Sequence, residues 1–591
     1  MKKRVADIIF ETLAECGVDT CFAVVGGGAM YLDDALGRNE DISVYFNHHE
    51  QACSMAAEGY ARLKGSPAAV CVTSGPGGIN AMNGVEGAWV DSIPMIVLSG
   101  NVRKGISIPE SGLKLRSRGP QEFQVVPAAK TMTKYATQLL DPLEARSEIL
   151  KAFDIAMNGR RGPVWIDVPL DVQCAMVEES ELVEFSSPLP VYTATTDDVE
   201  RLREMLEAAE RPCFLAGSGI VSSGSLSEFI EFVETNNIPI VGQTQVADIL
   251  ANTNEKFFGL SGTSGPRAGN FILNNADLIV TLADSLSFRQ TGFDQSLFAP
   301  NATFVMVDVD DDEVKKPGLN ISTYIKSDIK EFFKKWKTEG VSVSASDEWM
   351  DYCQRVYAAF DPFEGGAGHS DGERVSQYRF WKEYDRLAPD NAVVALGNNT
   401  AICAKLQVGK RTNAQRVIAN YASGSMGYDL PAAIGACIAS GREVVCATGD
   451  GSIMMNLQEL QTIRQYNLPV KVVVFSNDGY GTMRQTCKNF FGGKYIGCTE
   501  ETGVSFPKFE DVAKTFGMKF MRCENNGQIA NCLDRFFAED GSVLLVMDEL
   551  LVDPLIPKLM SRQDEDGNFV SPSLTDLYPF VDKELRDSFM L

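Results

Sequence analysis

The sequence predicts an α/β protein of three doubly wound parallel-sheet domains, and three observations carry that prediction. Short apolar, strand-like runs alternate with amphipathic stretches three times over, the pattern of parallel sheets flanked by helices. Two polar stretches, 178–196 and 341–373, separate the blocks as linkers. The chain's 591 residues suffice for about three to four domains of ordinary size.

The first block spans 1–177. Val5, Ile8, Ile9, Thr12 and Leu13 fall on one helical face. Runs 68–73 and 95–99 read as strands, and Pro163-Val164-Trp165-Ile166-Asp167-Val168-Pro169 closes the block. The second block, 197–339, has strand-like runs at 213–216, 278–282 and 304–309, with Gly217-Ser218-Gly219 after the first. The third block is 374–560. Residues 561–591 form a C-terminal extension, read as a surface segment or a lid.

Composition places the chain among soluble globular proteins, with 45% hydrophobic and 23% charged residues. A formal net charge of −25 disfavours nucleic acid and anionic membranes as partners. The 14 Cys are scattered among apolar residues, as expected of free thiols in a reducing cytoplasm. No apolar run is long enough for a transmembrane helix.

The sharpest chemical signal is Gly449-Asp450-Gly451, followed by Asn477-Asp478-Gly479. A β-like run precedes each, and helical spacing over 453–465 follows the first. In a doubly wound sheet both turns lie at the carboxyl edge, where ligands bind. Glycines admit a phosphate close to the backbone, and a helix N-terminus favours negative charge. Asp450 and the Asn477 amide oxygen are hard ligands suited to Mg²⁺. Each turn by itself reads equally as a tight turn; the pair is what points to chemistry.

The spacing resembles the signature of thiamine-diphosphate enzymes, which begins GDG and ends NN, with Asp478 in place of the second Asn. The resemblance implies Mg²⁺ on Asp450, Asn477 and the carbonyl of Gly479, and diphosphate contacts at Gly449, Gly451, Ser452, Tyr480 and Gly481. His48-His49-Glu50-Gln51-Ala52, running on to Ala57-Glu58-Gly59-Tyr60-Ala61-Arg62, looks like a second family motif. By itself Glu50 reads as a helix N-terminal acid. Within the motif it is the carboxylate that activates the aminopyrimidine ring. Thr73-Ser74-Gly75-Pro76-Gly77-Gly78-Ile79-Asn80 resembles the motif in which Pro76 and Asn80 line the pyrimidine pocket.

The resemblance is closest to acetolactate synthase and extends through about residue 560. Cys16 to Phe22 leads to Gly26-Gly27 as in that family. Ser425-Met426-Gly427-Tyr428 leads into Leu430-Pro431-Ala432-Ala433-Ile434-Gly435-Ala436. Gly26, Gly397, Asn398 and Gly424 are implied as cofactor contacts, and Met426 as the apolar prop under the bent cofactor; its other reading is core filler. Gln121 is similar to a glutamine near the reacting centre. The implied domains are pyrimidine-binding, central nucleotide-binding-like, and diphosphate-binding. In the central block Gly217, Gly219, Thr244, Arg289 and Asp308 match the flavin pattern, so FAD in a structural role is implied. Ser285 departs from that pattern, and the other reading is an empty nucleotide fold.

Two further departures concern the acceptor. Lys104 to Arg118 looks like a basic insertion, either a solvated loop or a different acceptor pocket. In Gly481-Thr482-Met483-Arg484-Gln485-Thr486, Thr486 stands where acetolactate synthase has Trp, and Arg484 is expected to bring a cation nearby. The resemblance thus implies a carboligase that decarboxylates pyruvate or a similar 2-keto acid and transfers the acyl carbanion to a carbonyl acceptor, with a keto-sugar nucleotide as one candidate. Alternatives are acetolactate synthase proper, a decarboxylase, a carbon–carbon lyase, or a non-catalytic nucleotide-binding paralogue. A homodimer or homotetramer with the site between subunits is implied.

Overall fold

The strands of the first block are β1 (Thr20–Ala23), β2 (Ser43–Phe46), β3 (Ala69–Val72), β4 (Met95–Asn101), β5 (Tyr135–Gln138) and β6 (Pro163–Pro169) in the computed structural model. It describes residues 2–360, 369–398, 400–409, 411–412, 414–563 and 569–591. These strands form one parallel sheet in the order β2-β1-β3-β4-β6-β5. β3 and β4 are buried throughout, as in a parallel sheet covered on both faces. Lys2–Arg4 pairs antiparallel with Met176–Glu178 and ties the start of the chain to the end of the block.

The second sheet comprises β7 (Pro212–Ala216), β8 (Ile240–Gln243), β9 (Phe257–Ser261), β10 (Leu278–Leu282), β11 (Thr303–Asp308) and β12 (Ile321–Lys326), ordered β9-β8-β7-β10-β11-β12. Numbered within the block this is 3-2-1-4-5-6, the dinucleotide-binding order. Thr195 opens it by capping the helix Thr196–Ala208 in a reciprocal box with Asp198.

The third sheet has β13 (Val393–Leu396), β14 (Arg416–Ile418), β15 (Val444–Gly449), β16 (Val470–Ser476), β17 (Lys519–Cys523) and β18 (Val543–Asp548). Its order is β14-β13-β15-β16-β18-β17. Within their blocks the first and third sheets therefore share the order 2-1-3-4-6-5.

The two related sheets face each other through equivalent helices. Glu50–Lys64 follows β2, and Asp429–Ser440 follows β14. Their contact is the most extensive between helices among the described residues. Small residues make it possible: a Cβ on Gly59 would strike the Ala432 carbonyl, and one on Gly435 the Ala56 carbonyl. One apolar core runs through this seam, joining Ala56, Tyr60 and Val70 to Leu430, Ala433 and Val472.

The C-terminal extension packs on the central block. Leu574 and Leu577 are buried, Arg267 donates to the Leu577 carbonyl at 2.8 Å, and Tyr352 donates to the Phe589 carbonyl at 2.6 Å. Residues 564–568 of the extension and 361–368 of the second linker lie outside the described residues.

Candidate active site

Glu50 is the first residue of its helix, and the His49 ring before it caps the helix by accepting from the Gln51 N–H at 3.2 Å. The helix Pro76–Val90 follows β3, with Pro at a first-turn position where no N–H is needed. Asn80 on that helix donates Nδ2 to Glu50 Oε2 at 3.0 Å. Glu50 Oε1 faces Gly77, where a Cβ would lie 3.4 Å away. Gly26 donates its N–H to Asp33 at 3.0 Å and packs on Thr73. Glu50, Pro76, Asn80 and Gly26 thus lie together at the carboxyl edge of one sheet, in a loop and in the first turns of two helices. Gln121, at φ 57°, joins them through the backbone, for its carbonyl abuts Gly75.

The second group lies at the equivalent edge of the third sheet. Asp450 follows β15 and is 2% exposed. Its Oδ2 accepts from the Asp478 N–H at 2.9 Å, the Gly479 N–H at 3.4 Å and the Ser476 hydroxyl at 3.3 Å; Oδ1 accepts from the Gly451 N–H at 2.8 Å. Burial nevertheless pushes its carboxyl up to about 6, a cost that a bound cation would offset. Asn477 donates Nδ2 to Glu549 at 2.9 Å, while its Oδ1 is buried with no hydrogen-bond partner. Among the described residues no trio of His, Cys, Asp and Glu gathers as a metal cluster. One carboxylate, one partnerless amide oxygen and a backbone carbonyl form a hard, oxygen-only donor set that fits Mg²⁺.

Met426 lies in a loop held from three sides. Asp91 accepts from the Tyr421 and Ala422 N–H groups at 3.0 and 3.2 Å, and Arg289 donates to the Tyr421 carbonyl at 2.6 Å. Asn398 reaches the Gly424 carbonyl at 3.4 Å. Ser452 and Asn456 hold the Gly427 peptide by its N–H and its carbonyl, at 2.8 and 2.7 Å. Gly397 packs on Asp429, the Tyr480 ring lies over Gly451, and Gly481 is beside the Asn477 amide.

The central sheet has its own cleft of about 360 Å³ at the switch point between β7 and β10. Gly219, Thr244, Arg289 and Asp308 line it, together with Gln243, Ser285, Arg160 and Tyr421. Gly217 is not in the lining; it packs against Ala283 and Asp284 just behind. Gln243 Nε2 is buried without a partner, and burial pushes Asp308 up to about 6.

Three regions of the chain match thiamine pyrophosphate enzyme domains: the N-terminal TPP-binding domain at 3–114, the central domain at 199–335, and the C-terminal TPP-binding domain at 395–547. The acetolactate synthase isozyme 2 large subunit of Escherichia coli (strain K12) is 30% identical, over 95% of this chain and 98% of that protein. The chain belongs to the thiamine pyrophosphate enzymes. Within them it is an acetolactate-synthase-like carboligase. Zea mays acetolactate synthase 1, chloroplastic, is 29% identical over 94% of this chain and 87% of its own length. The acetolactate synthase large subunit of Lactococcus lactis is 29% identical over 93% and 94%.

Against this family frame, two expectations need correction. Arg484 does not enter an acceptor pocket. Its guanidinium is buried and donates to the carbonyls of Asn477 (2.6 Å), Asp478 (2.6 Å) and Leu551 (3.2 Å), clamping the turn from behind. The single helix expected over 453–465 is also broken, into Asp450–Ile453, Leu457–Glu459 and Leu460–Gln465. The Asn456 side chain is drawn to Gly427, so no long helix dipole points at the Asp450 turn. The sequence reading also missed Glu549. The available signal was an acidic pair, Asp548-Glu549, at the end of a buried strand.

Proposed function

We propose that this carboligase takes pyruvate or a similar 2-keto acid as donor and a bulky anionic carbonyl compound, of the keto-sugar nucleotide class, as acceptor. The observation that carries this reading is the loop between β4 and Gln121. Arg103, Lys114 and Arg116 are exposed there, and their side chains have no ion pair or hydrogen bond among the described residues. Glu122 anchors the loop at the Ile108 N–H and the Gly119 N–H. Free cations on a chain of net charge −25 suit a diphosphate. Thr486, where acetolactate synthase has a Trp, is a smaller side chain and suits a bulkier acceptor. The second reading, a small 2-keto acid as acceptor, is favoured by identity to acetolactate synthases over nearly the whole chain.

Bound thiamine diphosphate supplies the carbanion chemistry that removes carbon dioxide from a 2-keto acid and joins the acyl unit to a carbonyl. Glu50 Oε1, free of Asn80, would hold the proton exchanged with the aminopyrimidine ring. Asp450, Asn477 Oδ1 and the Gly479 carbonyl would hold Mg²⁺ and, through it, the diphosphate. The central cleft would hold FAD; its strand order and the partnerless Gln243 amide support this, while Ser285 gives the flavin no charge. Apolar side chains exposed beside both cofactor edges, Val25 and Ile79 on one and Met454, Met455 and Met483 on the other, support a dimer that joins Glu50 of one chain to Asp450 of the next. Fourteen free thiols support a reducing compartment. Among the described residues no helix is long and apolar enough to cross a membrane.

The test is pyruvate consumption across a panel of acceptors. Keto-sugar nucleotides should exceed 2-ketobutyrate or a second pyruvate in kcat/KM by tenfold or more. If small 2-keto acids win, the acetolactate reading replaces this one.

A further inference from the structure

Asparagine presents two opposite ends that differ only by rotation of its amide. The carbonyl oxygen ligates a cation; the NH₂ group repels one. Which end faces a site is decided by the surrounding hydrogen bonds. At Asn477 the deciding group is Glu549. Its Oε2 accepts from Asn477 Nδ2 at 2.9 Å, and its Oε1 accepts from Gln377 Nε2 at 2.8 Å. Both of its oxygens lie on amide N–H donors. Glu549 is 2% exposed and has little freedom to turn away. The backbone of Gln377 is held, since its N–H donates to Asp553 at 2.7 Å. Arg484 holds the backbone of the turn through the carbonyls of Asn477 and Asp478, so rotation of the amide is the freedom that remains.

The first sheet provides an internal comparison. Asn101 ends β4 as Asn477 follows β16, and it donates Nδ2 to Asp167 on β6 at 2.7 Å. There the carbonyl end is used locally, for Asn101 Oδ1 accepts from the Val102 N–H at 2.8 Å. At Asn477 the corresponding oxygen is buried and has no partner. The same acid–amide pairing thus leaves an acceptor open only on the sheet that carries Asp450.

We infer that Glu549 is a positioning residue: it captures the NH₂ end of Asn477 and so turns Oδ1 toward a divalent cation shared with Asp450. The inference rests on the proposed metal site and deepens it. The test is an electron paramagnetic resonance titration of Mn²⁺ into cofactor-stripped protein with thiamine diphosphate added. It compares wild type, E549L, E549Q, N477D and N477D/E549L. E549L should weaken Mn²⁺ binding about tenfold or more. Asp at 477 has two equivalent oxygens and nothing to orient, so E549L in that background should leave Mn²⁺ affinity unchanged or tighter. E549Q can still offer an oxygen to Asn477, because Gln377 Oε1 is buried without a partner and can turn to accept; it should bind within about threefold of wild type. Should E549L not fold, as judged by melting without metal, E549M takes its place. Equal losses in both backgrounds, or E549L within twofold of wild type, would overturn the inference and leave the metal site standing. Wild-type protein that does not bind Mn²⁺ would overturn the metal site itself.

Discussion

In the first sheet, the helix after the second strand begins with Glu50; in the third sheet, the equivalent helix begins with Asp429. Both are acids at a helix start, and they behave differently. Asp429 is fully buried and spent, accepting from the Ser452 hydroxyl at 2.7 Å and the Leu430 N–H at 2.8 Å. Glu50 is half-buried, with Asn80 on one oxygen and the other beside Gly77. After the third strand the contrast reverses. The first sheet turns through Thr73 to Pro76 with no carboxylate, and the third places Asp450 there. The pair teaches that a shared strand order fixes where loops emerge, while the hydrogen-bond partners decide which acid stays available for chemistry.

The largest expected effect tests the Glu50 side. Glu50→Gln should lower kcat by about 10²- to 10⁴-fold, with thiamine diphosphate still bound by the other sheet. Near wild-type turnover would break the comparison. The Asp450 side should fail differently. Asp450→Asn should raise the apparent Kd for Mg²⁺ by about 10-fold or more, in line with loss of the proposed ligand carboxylate, and excess Mg²⁺ should restore part of the activity. Mixing the two impaired variants at limiting Mg²⁺ sharpens the point. If each site joins Glu50 of one chain to Asp450 of another, hybrids carry one intact site, and activity should return on subunit exchange. Mixtures that stay inactive after exchange, as shown by native mass spectrometry, would sink the shared site.

The seam between the sheets predicts a smaller effect. Gly435→Ala forces a methyl into the Ala56 carbonyl and should cost about 1–3 kcal/mol, read as a lower denaturant midpoint. An unchanged midpoint would show that the seam is loosely packed.

The central block serves as a control with a different strand order. Burial raises Asp284 to about 7, from an ordinary 3.8. The folded state therefore holds this proton more tightly than the unfolded chain. The resulting stability is full below about pH 4 and is lost as pH rises through 7. Asp284→Asn is neutral throughout, so its melting temperature relative to wild type should climb between pH 5 and 8 by about 2–4 °C. A flat difference would exclude the buried charge as the cause.

Much of this was legible in the sequence. The three parallel sheets, the Asp450 and Asn477 turns after buried strands and the Glu50 helix start are short-range patterns, each written within a few residues. The family resemblance added Pro76, Asn80 and Met426. Other features were not legible. The direction of Arg484 depends on which carbonyls lie behind its helix, including that of Leu551, 67 residues away. The break in 453–465 depends on Asn456 reaching Gly427 across a helix. The docking of the extension on the central block depends on contacts such as Arg267 to Leu577, 310 residues apart.

By itself the sequence determined where Glu50 and the turns of Asp450 and Asn477 lie along the chain, because strand periodicity and glycine turns are local properties of the chain. Only the tertiary structure decided how those groups are held. Asn477 and Glu549 are 72 residues apart in sequence and meet because β16 and β18 pair in parallel register. That pairing leaves the Asn477 oxygen open, whereas the matching Asn101 is closed by its own neighbour, and no local pattern distinguishes the two.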